Sequence, residues 1–225
     1  MTVHLLVEGP SELAFFETWA RRLLKGCELT IHAHRGRGRL PSDLASRPDP
    51  KHHGLLDQLP AKLRGFAQSL GPGDAVVVLV DADADSPGEF AAAIENAARS
   101  IAPTLRVYVH LAIEETEAFY LGDLRAIERV YPRADMSAAR RRVPDSICGT
   151  WELFGRVIHD GGGNKTSWAE AMGPAVTVRA EQSRSPSFRT LVAGLRDVVS
   201  AMPKKPLDRR RHHPIRTSSE PGRRR

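Results

Sequence analysis

The segment Ala75–Val80, AVVVLV, constrains this chain more than any other: six apolar residues in a row, preceded by Gly71-Pro72-Gly73 and followed at once by Asp81. So uniform a run predicts a central strand covered on both faces, the habit of parallel sheets. The flanking pattern agrees. Thr2–Val7 reads as a strand, and Gly9-Pro10-Ser11 turns it into a helix whose Leu13, Phe16, Ala20, Leu23 and Leu24 recur at helical spacing. Leu29–Ala33 predicts a second strand and Leu55–Leu70 a helix. Ser86-Pro87-Gly88-Glu89 combines a capping box with proline at the first helical position, which starts a helix running to about Ser100. Leu105–Leu111 predicts a fourth strand, with a helix from Glu114 onward. Parallel neighbours need helical crossovers, so this alternation predicts an α/β fold with a mostly parallel four-stranded sheet flanked by helices. Residues 132–203 read as a mainly helical C-terminal extension. In it Ser167-Trp168-Ala169-Glu170 forms a second capping box, and Phe188, Leu191, Val192, Leu195, Val198, Val199 and Met202 trace one helical face.

Charge is distributed unevenly. The net charge is +6, but residues 204–225 hold nine Lys or Arg against two acids, leaving 24 basic against 25 acidic side chains in residues 1–203. That tail has almost no apolar content to offset ordering entropy, so it is expected to be disordered. It could hold phosphate backbones without reading sequence, or merely aid solubility. No apolar run approaches the roughly 20 residues of a membrane span, and Glu8 interrupts the N-terminus too early for a signal peptide, so a cytoplasmic location is expected. Cys27 and Cys148 lie far apart without CxxC spacing, which suggests packing rather than a disulfide or zinc site.

Ligands of open parallel sheets bind beyond the carboxyl ends of the strands, and three acidic motifs fall there. Glu8 follows the first strand, Asp81 and Asp83 the third, and Glu114–Glu117 the fourth. Asp81 and Asp83 share one side while strand geometry lasts, and two close carboxylates need a cation, a shared proton or open solvent. Oxygen ligands without His or Cys suit Mg²⁺ or Mn²⁺. The competing reading is that such aspartates only cap the next helix, and Asp85, directly before Ser86, is assigned to it. Glu117 lies in an otherwise apolar stripe with Ile113, Tyr120, Leu124 and Ile127. A buried carboxylate there requires a metal or a buried Arg partner. Glu12, one turn after Glu8, is either a further ligand or an ordinary acidic residue of a helix N-terminus. Glu114, Glu115 and Asp123 are expected to be solvated or to support the ligands from behind.

Lys165 follows Gly161-Gly162-Gly163-Asn164, yet the segment lacks the glycine spacing and preceding strand of a phosphate-binding P-loop. Lys165 either stabilises charge developing on a scissile phosphate or is a plain surface lysine. Arg35, Arg37 and Arg39 alternate with glycine after the second strand, where they could grip phosphates or line a solvated loop. The pairs His32/His34, His52/His53 and His212/His213 have no acidic or Cys partners at zinc spacing and are expected at the surface.

VEGPSE (Val7–Glu12) followed by VVVLVDADAD (Val76–Asp85) resembles the Toprim domain of topoisomerases, bacterial primases, maturation ribonucleases and the nuclease domains of OLD (overcoming lysogenization defect) proteins. Together with HRGRGRL, IEETEAFYLGDL (Ile113–Leu124), a lysine-bearing segment and SPSF (Ser185–Phe188), the chain resembles a bacterial Toprim family of unassigned function, often found beside ABC-type ATPases in suspected anti-phage defence systems. The resemblance implies a Rossmann-like Toprim catalytic domain over residues 1–131, the extension over 132–203 and the tail over 204–225. It implies that Glu8 is a metal ligand or general acid/base and that Asp81 and Asp83 are the paired metal-binding aspartates. Its expected activity is Mg²⁺-dependent hydrolysis of DNA or RNA, controlled by a separate ATPase subunit. The alternative is a non-catalytic scaffold that binds nucleic acid or that ATPase. Strand passage and primer synthesis are disfavoured, because no tyrosine-bearing cleavage domain or zinc module is evident. The oligomeric state, a homo-oligomer included, stays open.

Overall fold

The structure is a computed structural model that describes residues 2–82, 85–113, 115–146 and 149–201. Asp83, Glu114, Cys148, Met202 and the basic tail with His212/His213 therefore lie outside the described residues. Four strands, β1 (Thr2–Val7), β2 (Glu28–Ala33), β3 (Ala75–Asp81) and β4 (Val107–Ala112), form one sheet in the order β2-β1-β3-β4. All three pairings are parallel. The crossovers are α1 (Pro10–Leu23), α2 (Leu55–Ser69) and α3 (Pro87–Ile101). They are followed by α4 (Glu117–Gly122), α5 (Leu124–Val130), α6 (Met136–Arg141), α7 (Thr150–Val157), α8 (Lys165–Met172) and α9 (Pro186–Ser200).

Strand parity divides the interior. Val76, Val78 and Val80 of β3 and Leu6 of β1 face Leu55, Leu56, Leu59 and Leu63 of α2 and Ile94 of α3. Ala75, Val77 and Leu79, with Val3, Leu5 and Val7, face a larger core built from α1, α4 and the C-terminal helices. Each fully buried Val or Leu contributes about 1.5–3 kcal/mol, so β3 anchors both layers. By the same parity Asp81, the last residue of β3, belongs to the face that carries α1 and α4.

Residues 132–201 pack on the sheet rather than standing apart. Phe15 and Trp19 of α1 stack at 5.6 Å, Trp19 meets Phe188 of α9 at 5.2 Å, and Phe154 of α7 lies between Tyr120 and Trp168. The SPSF segment is part of this docking. Ser185, fully buried, caps α9 at Phe188 N and donates to Asp145, which also accepts from Ser187 N.

Several boundaries differ from expectation. β4 begins at Val107 because Leu105 closes a turn onto the Ala102 carbonyl, and the helix expected from Glu114 begins at Glu117. Ser86 caps α3 by position, but its hydroxyl makes no capping bond. Ser167 lies inside α8, since Asn164 Oδ1 accepts from Thr166 N and starts the helix earlier.

Candidate functional site

Gly9-Pro10 turns the chain sharply out of β1, leaving Glu8 at the sheet's carboxyl edge beside the end of β3. There Glu8 Oε1 accepts a 2.8 Å hydrogen bond from Asp81 N, and Glu8 O accepts one of 2.8 Å from Gly36 N. Glu8 thus joins β1, the end of β3 and the glycine loop.

Glu12, in the first turn of α1, is only 9% exposed. Its Oε1 accepts from Ser11 Oγ at 3.0 Å and from Thr116 Oγ1 at 3.2 Å, which ties α1 to the start of α4. Glu117 opens α4 and is 2% exposed. Burial, opposed by Lys165 and reinforced by Glu115 and Glu12, pushes its carboxyl up to about 7. Asp81 is driven well above the usual carboxylate range, first by burial and then by the charges of Glu8, Glu12, Glu117 and Glu115. Glu8 just after β1, Glu12 in α1, Glu115 in the β4–α4 connection and Glu117 at the start of α4 therefore all act on Asp81 at the end of β3.

Lys165 enters the group. Lys165 Nζ lies 3.1 Å from Glu115 Oε1 and 3.8 Å from Glu117 Oε1, and sits 5.1 Å from the centre of the Trp151 ring. Burial lowers its pKa, but Glu117, Glu115 and Asp81 outweigh that, and the ammonium is held above its ordinary value. The partner that the Glu117 stripe demanded is thus a lysine rather than an arginine. Glu115, expected to be solvated or supporting, has a side chain 20% exposed and bridges Lys165 to Trp151 N, where it accepts at 2.9 Å. It is the residue whose part the sequence understated. Asp123 is a correction: it is buried, accepts from Ala126 N and Thr177 N, and serves as the cap of α5.

The arginine loop is also divided. Arg37 Nη1 donates to Asp85 Oδ2 at 2.7 Å and to the carbonyls of Asp81 and Ala82 at 3.4 Å, and its guanidinium lies 5.1 Å from the Phe90 ring. It braces the segment leaving β3, and Asp85 is its ion partner. Arg35 and Arg39 are exposed. Gly36 and Gly38 adopt φ +88° and +67°, and a Cβ on Gly38 would strike the Asp57 carboxylate, so these glycines first serve to seat the loop on α2.

His32 and His34 are half-buried, contrary to the surface expected for them, while His52 and His53 are exposed. His32 Nε2 lies 3.2 Å from His4 Nδ1, with Phe66 packed against both rings, and His34 Nδ1 lies 2.7 Å from Val7 O.

Among the described residues no three His, Cys, Asp or Glu side chains already stand in a metal-holding arrangement. The donors nonetheless suit a hard cation: they are oxygen-only, burial and then crowding raise Asp81, and among the described residues Lys165 is the lysine paired with them.

Fold and site define a parallel α/β protein with a carboxylate cluster, led by Glu8 and Asp81, at the carboxyl edge of its sheet. Residues 7–196 match the family described as a domain of unknown function, DUF4276, and the chain belongs to that family. No curated protein and no solved structure matches it.

Proposed function

We propose that this protein is a Toprim-type, Mg²⁺- or Mn²⁺-dependent nuclease that hydrolyses phosphodiester bonds of DNA or RNA. The observation that carries this reading is that Glu8, Glu12, Glu115 and Glu117 all act on buried Asp81, with Lys165 paired to Glu115 and Glu117, at the edge where parallel sheets bind ligands. A fold gains nothing by crowding five acids, since each raises the cost of ionising the next. Asp81, Glu8, Glu117 and Glu12 would hold the cation, with Asp83 following on the same segment. When bound, a divalent ion neutralises charge on a phosphodiester and acidifies a water molecule.

The chain's own residues supply the rest of the chemistry. The Glu8 carboxylate, set by the Asp81 N–H, is placed to hold or pass a proton. Lys165, held beside Glu115 and Glu117, would be the group that faces a developing phosphate anion. Arg35 and Arg39 offer phosphate contacts beside the site. The order of the sequence motifs supports a defence setting in which a separate ABC-type ATPase controls cleavage.

Asp81→Asn and Glu8→Gln should each reduce Mg²⁺- or Mn²⁺-dependent cleavage of single- and double-stranded DNA and RNA at least 100-fold, and calorimetry should show metal binding that Asp81→Asn abolishes. Cleavage by both variants at the parent rate, or metal-independent behaviour in calorimetry, would leave only a non-catalytic scaffold.

A further inference from the structure

A second charged feature lies away from the carboxylate cluster. Helix α1 carries Glu12 in its first turn and Arg22 in its last, so the two ends are about 15 Å apart at 1.5 Å per residue. At the far end, where α4 and α8 also finish, opens a cavity of about 680 Å³. Five arginines line it, Arg22, Arg125, Arg129, Arg179 and Arg184, against the carboxylates of Asp123 and Glu181.

None of the five arginines is ion-paired among the described residues. Asp123 acts on Arg22, but it and Glu181 are two carboxylates against five guanidinium groups, so positive charge is left over. Three of the guanidinium groups are fixed in place by carbonyls. Arg22 donates to Gly173 O and Val176 O at 2.9 Å, Arg129 to Ala175 O at 2.7 Å, and Arg184 to Ala139 O at 3.3 Å, to Arg140 O at 3.2 Å and to Arg142 O. Carbonyl contacts orient a guanidinium without cancelling its charge, and most donors of Arg22 and Arg129 stay available, whereas Arg184 is largely committed to its three carbonyls. Arg125 and Arg179 are exposed and make no side-chain hydrogen bond among the described residues. Concave walls, held cations and unmatched charge are what a multiply charged anion requires, and arginine forks fit phosphoryl oxygens. The volume falls in the range of small-ligand sites, about 300–1,000 Å³, and Leu124, Ala175 and Val178 give the cavity an apolar wall.

We propose that this cavity binds a phosphate-bearing ligand of nucleotide size, either a free nucleotide or the phosphorylated end of a nucleic-acid strand. This inference stands independently of the nuclease reading. Calorimetric titration of the full chain with ADP and with a 5′-phosphorylated tetranucleotide, without divalent metal, tests it. Saturable binding of at least one probe is expected, weakened tenfold or more by Arg125→Ala/Arg179→Ala. Lys25→Ala/Arg99→Ala removes the same charge from exposed positions elsewhere and should keep the parent affinity, as should Asp81→Asn. Tighter binding of ADP assigns the site to free nucleotides and tighter binding of the tetranucleotide to strand ends; either upholds the proposal. Absence of saturable binding, or equal weakening by the two double variants, overturns it.

Discussion

Lys165 Nζ lies 3.8 Å from Glu117 Oε1, a buried carboxylate reached by a lysine 48 residues away that is itself 37% exposed on its side chain. This cation makes ionised Glu117 tolerable. Lys165→Met should therefore destabilise the protein most where Glu117 is charged, above pH 7, and much less at pH 5.5, where the acid is protonated. Because the lysine is partly solvated, the loss at pH 8 should be on the order of 1–2 kcal/mol, below the cost of breaking a fully buried pair. Urea denaturation of parent and variant at the two pH values measures it. An equal loss at both would assign Lys165 to packing on Trp151 instead.

Glu117 itself carries the opposite cost. Its folded pKa of about 7 exceeds the ordinary 4.5, so between those values the folded state holds more protons than the unfolded one. The stability it contributes is full below about pH 4.5 and is lost as pH rises through 7. Glu117→Gln removes that slope. The variant should gain on the parent by roughly 1–3 kcal/mol across this window and, on the proposed nuclease reading, lose cleavage activity and part of the stabilisation by Mg²⁺. Parent and variant denaturation midpoints, followed from pH 4.5 to 8 with and without Mg²⁺, decide the matter. Parallel pH curves would place the strain elsewhere in the cluster.

How far the sequence foreshadows this arrangement depends on the distance over which each contact acts. β3 is legible because a strand covered on both faces leaves an unbroken apolar run, and Glu8 because Gly9-Pro10 admits few other paths out of β1. Glu117 is legible by contrast with the apolar stripe around it. Glu115 has no such contrast: its immediate neighbours are polar, and its partners Trp151 and Lys165 arrive 36 and 50 residues later. Arg37 reads as a free phosphate contact in a glycine loop, yet it is committed to Asp85, 48 residues on. The arginine cavity is hidden for the same reason, since α1, α5 and the segment before α9 each contribute isolated arginines whose convergence only the packing decides.

His32 offers a test on the other layer of the molecule. Burial, then the charges of Lys62, His4 and His34, lowers its pKa from 6.5 to about 4, and its ring stacks on His4 with centroids 5.5 Å apart. Between those pH values the unfolded chain takes up a proton that the folded chain refuses. Stability from this residue is therefore full above about pH 6.5 and is lost as pH falls toward 4, a direction opposite to that of Glu117. His32→Phe keeps an aromatic ring against Phe66 and His4 but removes the titration. Its stability relative to the parent should stay constant from pH 8 to 6.5 and rise steadily below, while His4, also lowered by burial, leaves an acid slope common to both proteins. Chemical denaturation of both proteins at matched ionic strength provides the comparison. If the difference between them does not change from pH 8 to 4, the imidazole stack is not what refuses the proton.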